Sequence, residues 1–360
     1  MPIFTRSNAA TALVAAVALM SFSACSSGPA SVEGAKSSGQ FPGVTSRTIG
    51  YVDQFAAGAM QMRWFNYFKA GTDALGWKVV AQDAKGDPTK GNQQAVALLN
   101  EGVDALAISC FDTAPMRAAL KLAESKKIPV IQIGCPTPEP EAWTGVFAED
   151  EAALSRNLSD YINKQNSSGG ETALLFDTQL MAGRIRTETL KSELAKSDTK
   201  IVCERAIDLT NLVDSSRKAA SACLGANPNL TSIISVYDYF APPAIEAIKS
   251  AGKAKTVAVY GYYADAFNLP NLLAKGSPLK ALTDGPVEQV ALTAVDQLAA
   301  FFEKKTPLDS SATTKLDVPY TIYTVDNAPK FSKGYITPYP VATYLDPLLA
   351  KWKKEYGATK

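Results

Sequence analysis

The stretch Gly102–Gly134, GVDALAISCFDTAPMRAALKLAESKKIPVIQIG, constrains the fold of this chain more than any other. It reads as strand, helix, strand. Ala105–Ser109 is a short apolar run behind a turn-like Glu-Gly, and such runs suit strands buried on both faces of a parallel sheet. Asp112 and Thr113 offer helix caps, and Pro115 falls in the first turn, where proline is tolerated. Met116, Ala119, Leu120, Leu122 and Ala123 then recur at helical spacing, and Lys126 and Lys127 close the helix where cations suit its dipole. Pro129 opens a second apolar run, Val130–Ile133, ending at Gly134. Two parallel strands joined by a helix make a right-handed crossover. Open sheets of such units take ligands beyond the carboxyl ends of their strands, here Ser109–Thr113 and Gly134–Pro136.

The same alternation runs through most of the chain. Strand Thr48–Asp53, helix Met60–Leu75, strand Lys78–Gln82 and helix Lys90–Asn100 precede the unit, and strand Thr144–Phe147 follows it. A second run opens with helix Asp150–Asn163. It continues through strands Thr172–Asp177, Lys200–Arg205, Ser232–Val236, Thr256–Tyr260 and Leu279–Thr283, each followed by a helix. Strand Pro319–Val325 and a short basic helix around Leu348–Tyr356 close the pattern, with Lys351–Lys354 read as a solvated face. The expected fold class is α/β, with two doubly wound parallel-sheet lobes, since 360 residues are many for one core.

Composition narrows the chemistry. The net charge of +1 gives no electrostatic argument for nucleic acid. The chain has no histidine, which removes Ser-His and Cys-His pairs and the commonest zinc ligand. It has no G-x-S-x-G elbow, phosphate loop or metal-ligand spacing either. No catalytic residue, cofactor or metal is therefore expected.

The amino terminus reads as an export signal. Arg6 precedes the apolar run Ala9–Met20, which is too short to span a bilayer. Phe22-Ser23-Ala24-Cys25 resembles the lipobox of bacterial lipoproteins, with Phe22 where that pattern usually has leucine. The resemblance implies that residues 1–25 are a signal peptide and that Cys25 carries lipid; the alternative is cleavage near Ala24 and a free secreted protein. Residues 26–43, rich in Ser and Gly, read as a tether with an r.m.s. reach of roughly 23 Å. Four cysteines remain and allow three pairings. Cys110 and Cys135 end consecutive strands and form a natural pair; Cys203 lies on a strand and Cys223 on the next helix. Two disulfides are expected in an exported chain, four buried thiols being the alternative.

Order and spacing together resemble the type-I periplasmic binding proteins, in the ribose-binding branch. The matching residues are Thr48–Val52, Lys69-Ala70-Gly71, Gly86-Asp87-Pro88, Gly102–Ala105, Lys127–Val130, Ser250-Ala251-Gly252 and Gln289. The resemblance implies a three-segment hinge between the lobes, crossing near Ala148, Asp284-Gly285 and Thr324. It divides the chain into residues 44–147 with 286–323 as a first lobe, 148–285 with 324–345 as a second, and 346–360 as a helical tail. With the signal, it implies a monomeric solute-binding lipoprotein that serves an ABC permease. Such a protein sits on the outer face of the cytoplasmic membrane or in the periplasm and binds no nucleic acid.

The ligand is expected between the lobes. From the first lobe the candidates are Phe55, Trp64, Phe65, Phe111, Asp112 and Cys135, with Gln54 and Gly134 beside them. The resemblance gives Trp64 and Phe65 the role of a phenylalanine pair that sandwiches a sugar ring. The second lobe offers Arg184, Arg186, Tyr237, Asp238, Tyr263 and Asp284, with Asp177, Tyr239 and Tyr262 nearby. Ribose binders place an Asp-Arg pair where Gly134-Cys135 stands, Asn-Asp where Tyr237-Asp238 stands, and Phe-Asp where Tyr262-Tyr263 stands. The expected ligand is therefore sugar-like or aromatic and cyclic, with one anionic group read from the arginines, and not ribose. Asp238 is alternatively a cap for the helix at Pro242. The rival functions are an exported α/β enzyme using cleft carboxylates, and a sensor presenting its ligand to a membrane receptor.

Overall fold

β1 (Thr48–Asp53), buried along nearly its whole length, pairs in parallel with two strands at once. Its partners are β2 (Lys78–Asp83), reached through helix α1 (Ala59–Ala74), and β3 (Ala105–Ser109), reached through α2 (Pro88–Glu101). α3 (Thr113–Lys126) leads to β4 (Val130–Gly134), and β5 (Gly145–Ala148) completes a parallel sheet in the order β2-β1-β3-β4-β5. Every residue of β3 and β4 is buried, which is why these strands show no apolar–polar alternation in the sequence.

The computed structural model describes residues 41–166, 169–285, 287–308, 319–328 and 340–357, all within one compact unit, Val32–Lys360. Residues 1–40, with the expected signal peptide, Cys25 and most of the tether, lie outside the described residues. Among the described residues no helix is long and apolar enough to cross a membrane.

The second lobe repeats the pattern. Its elements are α4 (Glu151–Gln165), β6 (Gly170–Phe176), α5 (Met181–Leu194), β7 (Thr199–Ala206), α6 (Leu212–Ala226), β8 (Leu230–Ser235), α7 (Ala241–Ser250), β9 (Ala258–Tyr262), α8 (Leu269–Leu273) and β10 (Leu279–Asp284). After α9 (Glu288–Lys304), the short β11 (Thr321–Tyr323) pairs antiparallel with β10. The sheet order is β11-β10-β9-β8-β6-β7. α10 (Val341–Tyr356) is the last element described.

Five sequence expectations are displaced. β9 runs from Ala258 to Tyr262 instead of Thr256–Tyr260, starting late because Thr256 and Val257 donate to the Lys253 carbonyl in a turn and cannot join the ladder. β11 belongs to the second lobe's sheet, so the third crossing lies before Thr321 and not near Thr324. There the Tyr320 hydroxyl accepts from the backbone N–H of Asp150, at 2.9 Å, tying the third crossing to the first. α10 packs on α1 and α9, elements of the first lobe, instead of continuing the second lobe to residue 345. Its Trp352 is fully buried, with Nε1 donating to Asp296, so Lys351–Lys354 is not wholly a solvated face. Phe41, expected in the tether, sits edge-on to Trp352 at 6.2 Å, and the Gly43 N–H donates to the Tyr356 carbonyl.

Both disulfides join the partners expected from their elements. Cys110–Cys135 links the ends of β3 and β4 with 4.8 Å between Cα atoms, and Cys203–Cys223 links β7 to α6 with 5.7 Å. Their sequence separations are 25 and 20, and loops of that size lend about 3 kcal/mol each in the chain-entropy model.

Candidate functional site

The carboxyl ends of β1, β3 and β4 face those of β6, β8 and β9 across a narrow cavity of ≈ 10 Å³, about the space of one water. The first lobe lines it with Gln54, Met60, Gln61, Trp64 and the Cys110–Cys135 bridge. The second lobe lines it with Leu180, Arg186, Tyr237, Asp238, Tyr239 and Tyr263.

Trp64 owes its place to the helix phase of α1 and to a missing side chain. Its indole covers Gly134, where a Cβ would lie 2.6 Å from the ring and where φ is +90°. Glycine alone meets both demands. The Gly134-Cys135 pair is therefore a seat for an aromatic wall and a disulfide. On the facing lobe Tyr237 and Tyr239 stack at 5.4 Å with ring planes 8° apart. Tyr263 holds φ = +62°, a conformation costly for a large side chain and found where surroundings enforce it. Its N–H is fixed by the Thr283 carbonyl at 2.8 Å.

Arg186, on α5, is the ionic centre of the second lobe. Its Nε donates to Glu151 at 2.6 Å, Nη1 to the Val236 carbonyl at 2.8 Å, and Nη2 to the Tyr263 hydroxyl, which in turn donates to Glu149. The guanidinium also lies 4.6–5.1 Å from the ring centres of Tyr237, Tyr262 and Tyr263. Burial pushes both glutamates up, and Arg186 pulls them back. A second buried arginine, Arg63 on α1, holds Asp284 at 3.0 Å and Glu288 at 2.6 Å and donates to the Gly285 carbonyl. Burial raises Asp284 to about 6 in spite of Arg63.

Of the expected site residues, Trp64, Cys135, Arg186, Tyr237, Asp238 and Tyr263 meet at this cavity. The others stand elsewhere. Phe55 is half-buried in the loop after β1. Phe65 turns from the cavity to sit edge-on to Tyr51 at 5.1 Å. Phe111 packs in the core on the other face of the first sheet, close against Gly91 of α2. Asp112 stands at the N-cap position of α3 without making the cap bond. Its carboxylate reaches across the cleft to Arg184 at 2.9 Å and to the Met181 N–H at 3.2 Å, so both charged residues latch the lobes together at the rim. Asp284 spends its oxygens on Arg63, Ala264 and Gly285. Asp238 caps nothing, because a single 3-10 turn, Asp238–Phe240, separates it from α7. Gln61 and Met60 escaped the sequence reading, although Gln61 lies one helical turn before Trp64 on the same face.

Four lining side chains carry buried polar atoms with no partner: Gln61 Oε1, Trp64 Nε1, the Tyr237 hydroxyl and both carboxyl oxygens of Asp238. Unpartnered buried groups are costly and mark places where another molecule completes the bonding. A larger groove of ≈ 440 Å³ beside α3, around Trp143 and Leu120, contains no such atom. Among the described residues no cluster of side chains fits a metal ion.

Residues 49–306 match the family model of the periplasmic binding protein domain. The ribose import binding protein of Salmonella typhimurium is 26% identical over 234 residues, covering 63% of this chain and 73% of its own. Its counterpart in Escherichia coli is 25% identical over the same shares. Among solved structures, the 5-methylthioribose transporter solute-binding protein of Thermotoga lettingae superposes with a TM-score of 0.71 at 17% identity, covering 86% of this chain and 98% of that one. An allitol-bound ABC transporter solute-binding protein from Agrobacterium vitis gives 0.70 at 18% identity, over 79% and 97%. At such identities the structures speak for the fold, and the relatives are transport binding proteins, not enzymes. Two parallel α/β lobes that close a cleft at their strand ends, matched by the family model over most of the chain, make this protein a member of the periplasmic binding protein family, type I, in the ribose-binding branch.

Proposed function

We propose that this protein is the extracytoplasmic solute-binding lipoprotein of an ABC importer, and that it grips a small cyclic solute between its lobes. The carrying observation is the set of unpartnered buried groups on Gln61, Trp64, Tyr237 and Asp238, which converge on one interlobe cavity from both sides. A cavity of ≈ 10 Å³ admits a ring only as the lobes part, so binding couples to a hinge motion about the crossings at Glu149, Gly285 and Tyr320. Trp64 and Tyr237 give the solute flat apolar walls. The anionic group read from the arginines is not retained: Arg184 is engaged by Asp112, and Arg186 by Glu149 and Glu151. Ribose remains excluded on the ground that Gly134 seats an indole where a pentose binder would place polar side chains.

A thermal-shift screen over sugars, polyols, cyclic amines and aromatic acids tests the proposal, because a solute bound only by the folded state raises the melting temperature. Small-angle scattering with the best solute should then give a reduced radius of gyration. Finding no binder in these classes, or ribose binding at micromolar affinity, would reject it.

A further inference from the structure

The second lobe buries more negative charge beside the cleft than its own cations balance. Glu149, Glu151, Asp177, Asp238 and Asp265 are each at most 2% exposed. Arg186 serves Glu149 and Glu151. Asp177 is answered by the N–H groups of Gln179 and Leu180 at the start of α5. Asp238 and Asp265 have no salt bridge, and Arg186 and Arg63 act on them only from a distance. Asp265 accepts from the backbone N–H groups of Phe267 and Asn268 with one oxygen, and its other oxygen has no partner. Both oxygens of Asp238 lack a settled partner; the groups nearest them are the Asp265 carboxyl and the N–H groups of Tyr239 and of its own residue. The two carboxyl groups neighbour one another, and Asp238 opens onto the cavity.

We propose that the Asp238–Asp265 pair is a subsite for a protonated amino group, so that the solute of this cleft is a small cyclic amine or amino-substituted polyol instead of a neutral sugar. The inference rests on the reading of the cleft as a solute site and adds the class of solute. An ammonium group offers three donors and no acceptor, which matches the unpartnered oxygens of Asp238 and Gln61. The faces of Trp64 and of the Tyr237–Tyr239 stack attract a cation further. Two adjacent buried carboxyl groups do not both ionise unless a cation pairs with them directly, so the pair keeps a proton until one docks. Burial raises both groups, and the charge of Asp238 lifts Asp265 further. Entry of an ammonium ion releases that proton to solvent, the carboxylate and the cation then balancing one another.

The groups that face the pair come from several elements. Arg186 projects from α5 with Glu149 and Glu151 behind it, and Asp177 follows β6. Tyr237 and Tyr239 flank Asp238, Tyr263 follows β9, and Arg63 approaches Asp265 from the first lobe. Of these only the two arginines are cations, and each already holds two carboxylates.

Calorimetry on the whole chain with matched pairs, glucosamine against glucose and an aminocyclitol against myo-inositol, tests the proposal. The amino member should bind about tenfold tighter or more at pH 7, the scale of a desolvated charge pair. Its enthalpy should vary with the ionisation enthalpy of the buffer, reporting proton release, and its affinity should fall in acid. Asp238→Asn should remove both the preference and the buffer dependence; Asp265→Asn, whose carboxyl does not line the cavity, provides the second variant should Asp238→Asn fail to fold. If glucose or myo-inositol binds and its amino partner binds no better, the amine assignment falls while the cleft reading stands. If neither class binds, both fall.

Discussion

The two faces of the cleft come from the same kind of lobe and are built on opposite physics. The first lobe presents shape: an indole laid on a glycine, a disulfide joining two strand ends, and two glutamines. The second presents charge: one buried guanidinium holding two glutamates, a tyrosine hydroxyl linking it to one of them, and a carboxyl pair without a salt bridge. A shape-built face resists deformation through packing. A charge-built face depends on every partner being present, because a buried ion left alone costs far more than the pair contributed.

The comparison breaks first at Arg186. Arg186→Met leaves Glu149 and Glu151 buried without their cation and should cost about 3–5 kcal/mol in urea unfolding, the largest effect of any single change in the cleft. A loss under about 1 kcal/mol would mean that the second face is not held by charge. Gly134→Ala tests the first face. The added methyl meets the Trp64 ring at 2.6 Å and forces φ = +90° on a residue with a side chain, for a cost of about 1–3 kcal/mol and a shift in tryptophan emission. Unchanged stability would show that the indole is free to move away. The third effect is small only when taken per unit of pH. Burial raises Asp53, at the end of β1, to about 7 from its ordinary value of 3.8. The folded chain therefore keeps a proton that the unfolded chain gives up. This group's contribution is most favourable below about pH 4 and is lost as pH rises to about 7, by at most about 1.4 kcal/mol per unit. Asp53→Asn, a mimic of the protonated acid, should flatten the stability profile between pH 5 and 7; parallel profiles for the two proteins would sink this assignment.

What the sequence made legible follows the same division. Fully buried strands such as Ala105–Ser109 are local apolar runs, and their helices keep the helical period, so the lobes and their order could be read directly. The disulfide at Cys110–Cys135 was legible because crossover topology makes those strands neighbours. Trp64, Tyr237 and Tyr263 were legible through the resemblance to known binding proteins. The partners of the charged residues were not. Nothing local in Asp112 tells that its carboxylate crosses to Arg184, because that bond spans 72 residues and exists only between closed lobes. Arg63, one residue before Trp64, reads as the polar side of an amphipathic helix, yet it is fully buried, since α9 brings Glu288 to meet it. The third crossing was misplaced because an antiparallel edge strand of three residues leaves almost no pattern.

The seam between Phe41 and α10 sets a mechanical frame of reference. Gly43 is bonded to Tyr356, and Phe41 lies against Trp352, so the entering segment and the last described helix are clamped to one another. α10 in turn rides on α1 and α9. Whatever grips the chain ahead of Phe41 therefore grips the first lobe. That lobe is the stator, and the second, carrying the Arg186 network, is the rotor whose swing a distant reader would detect.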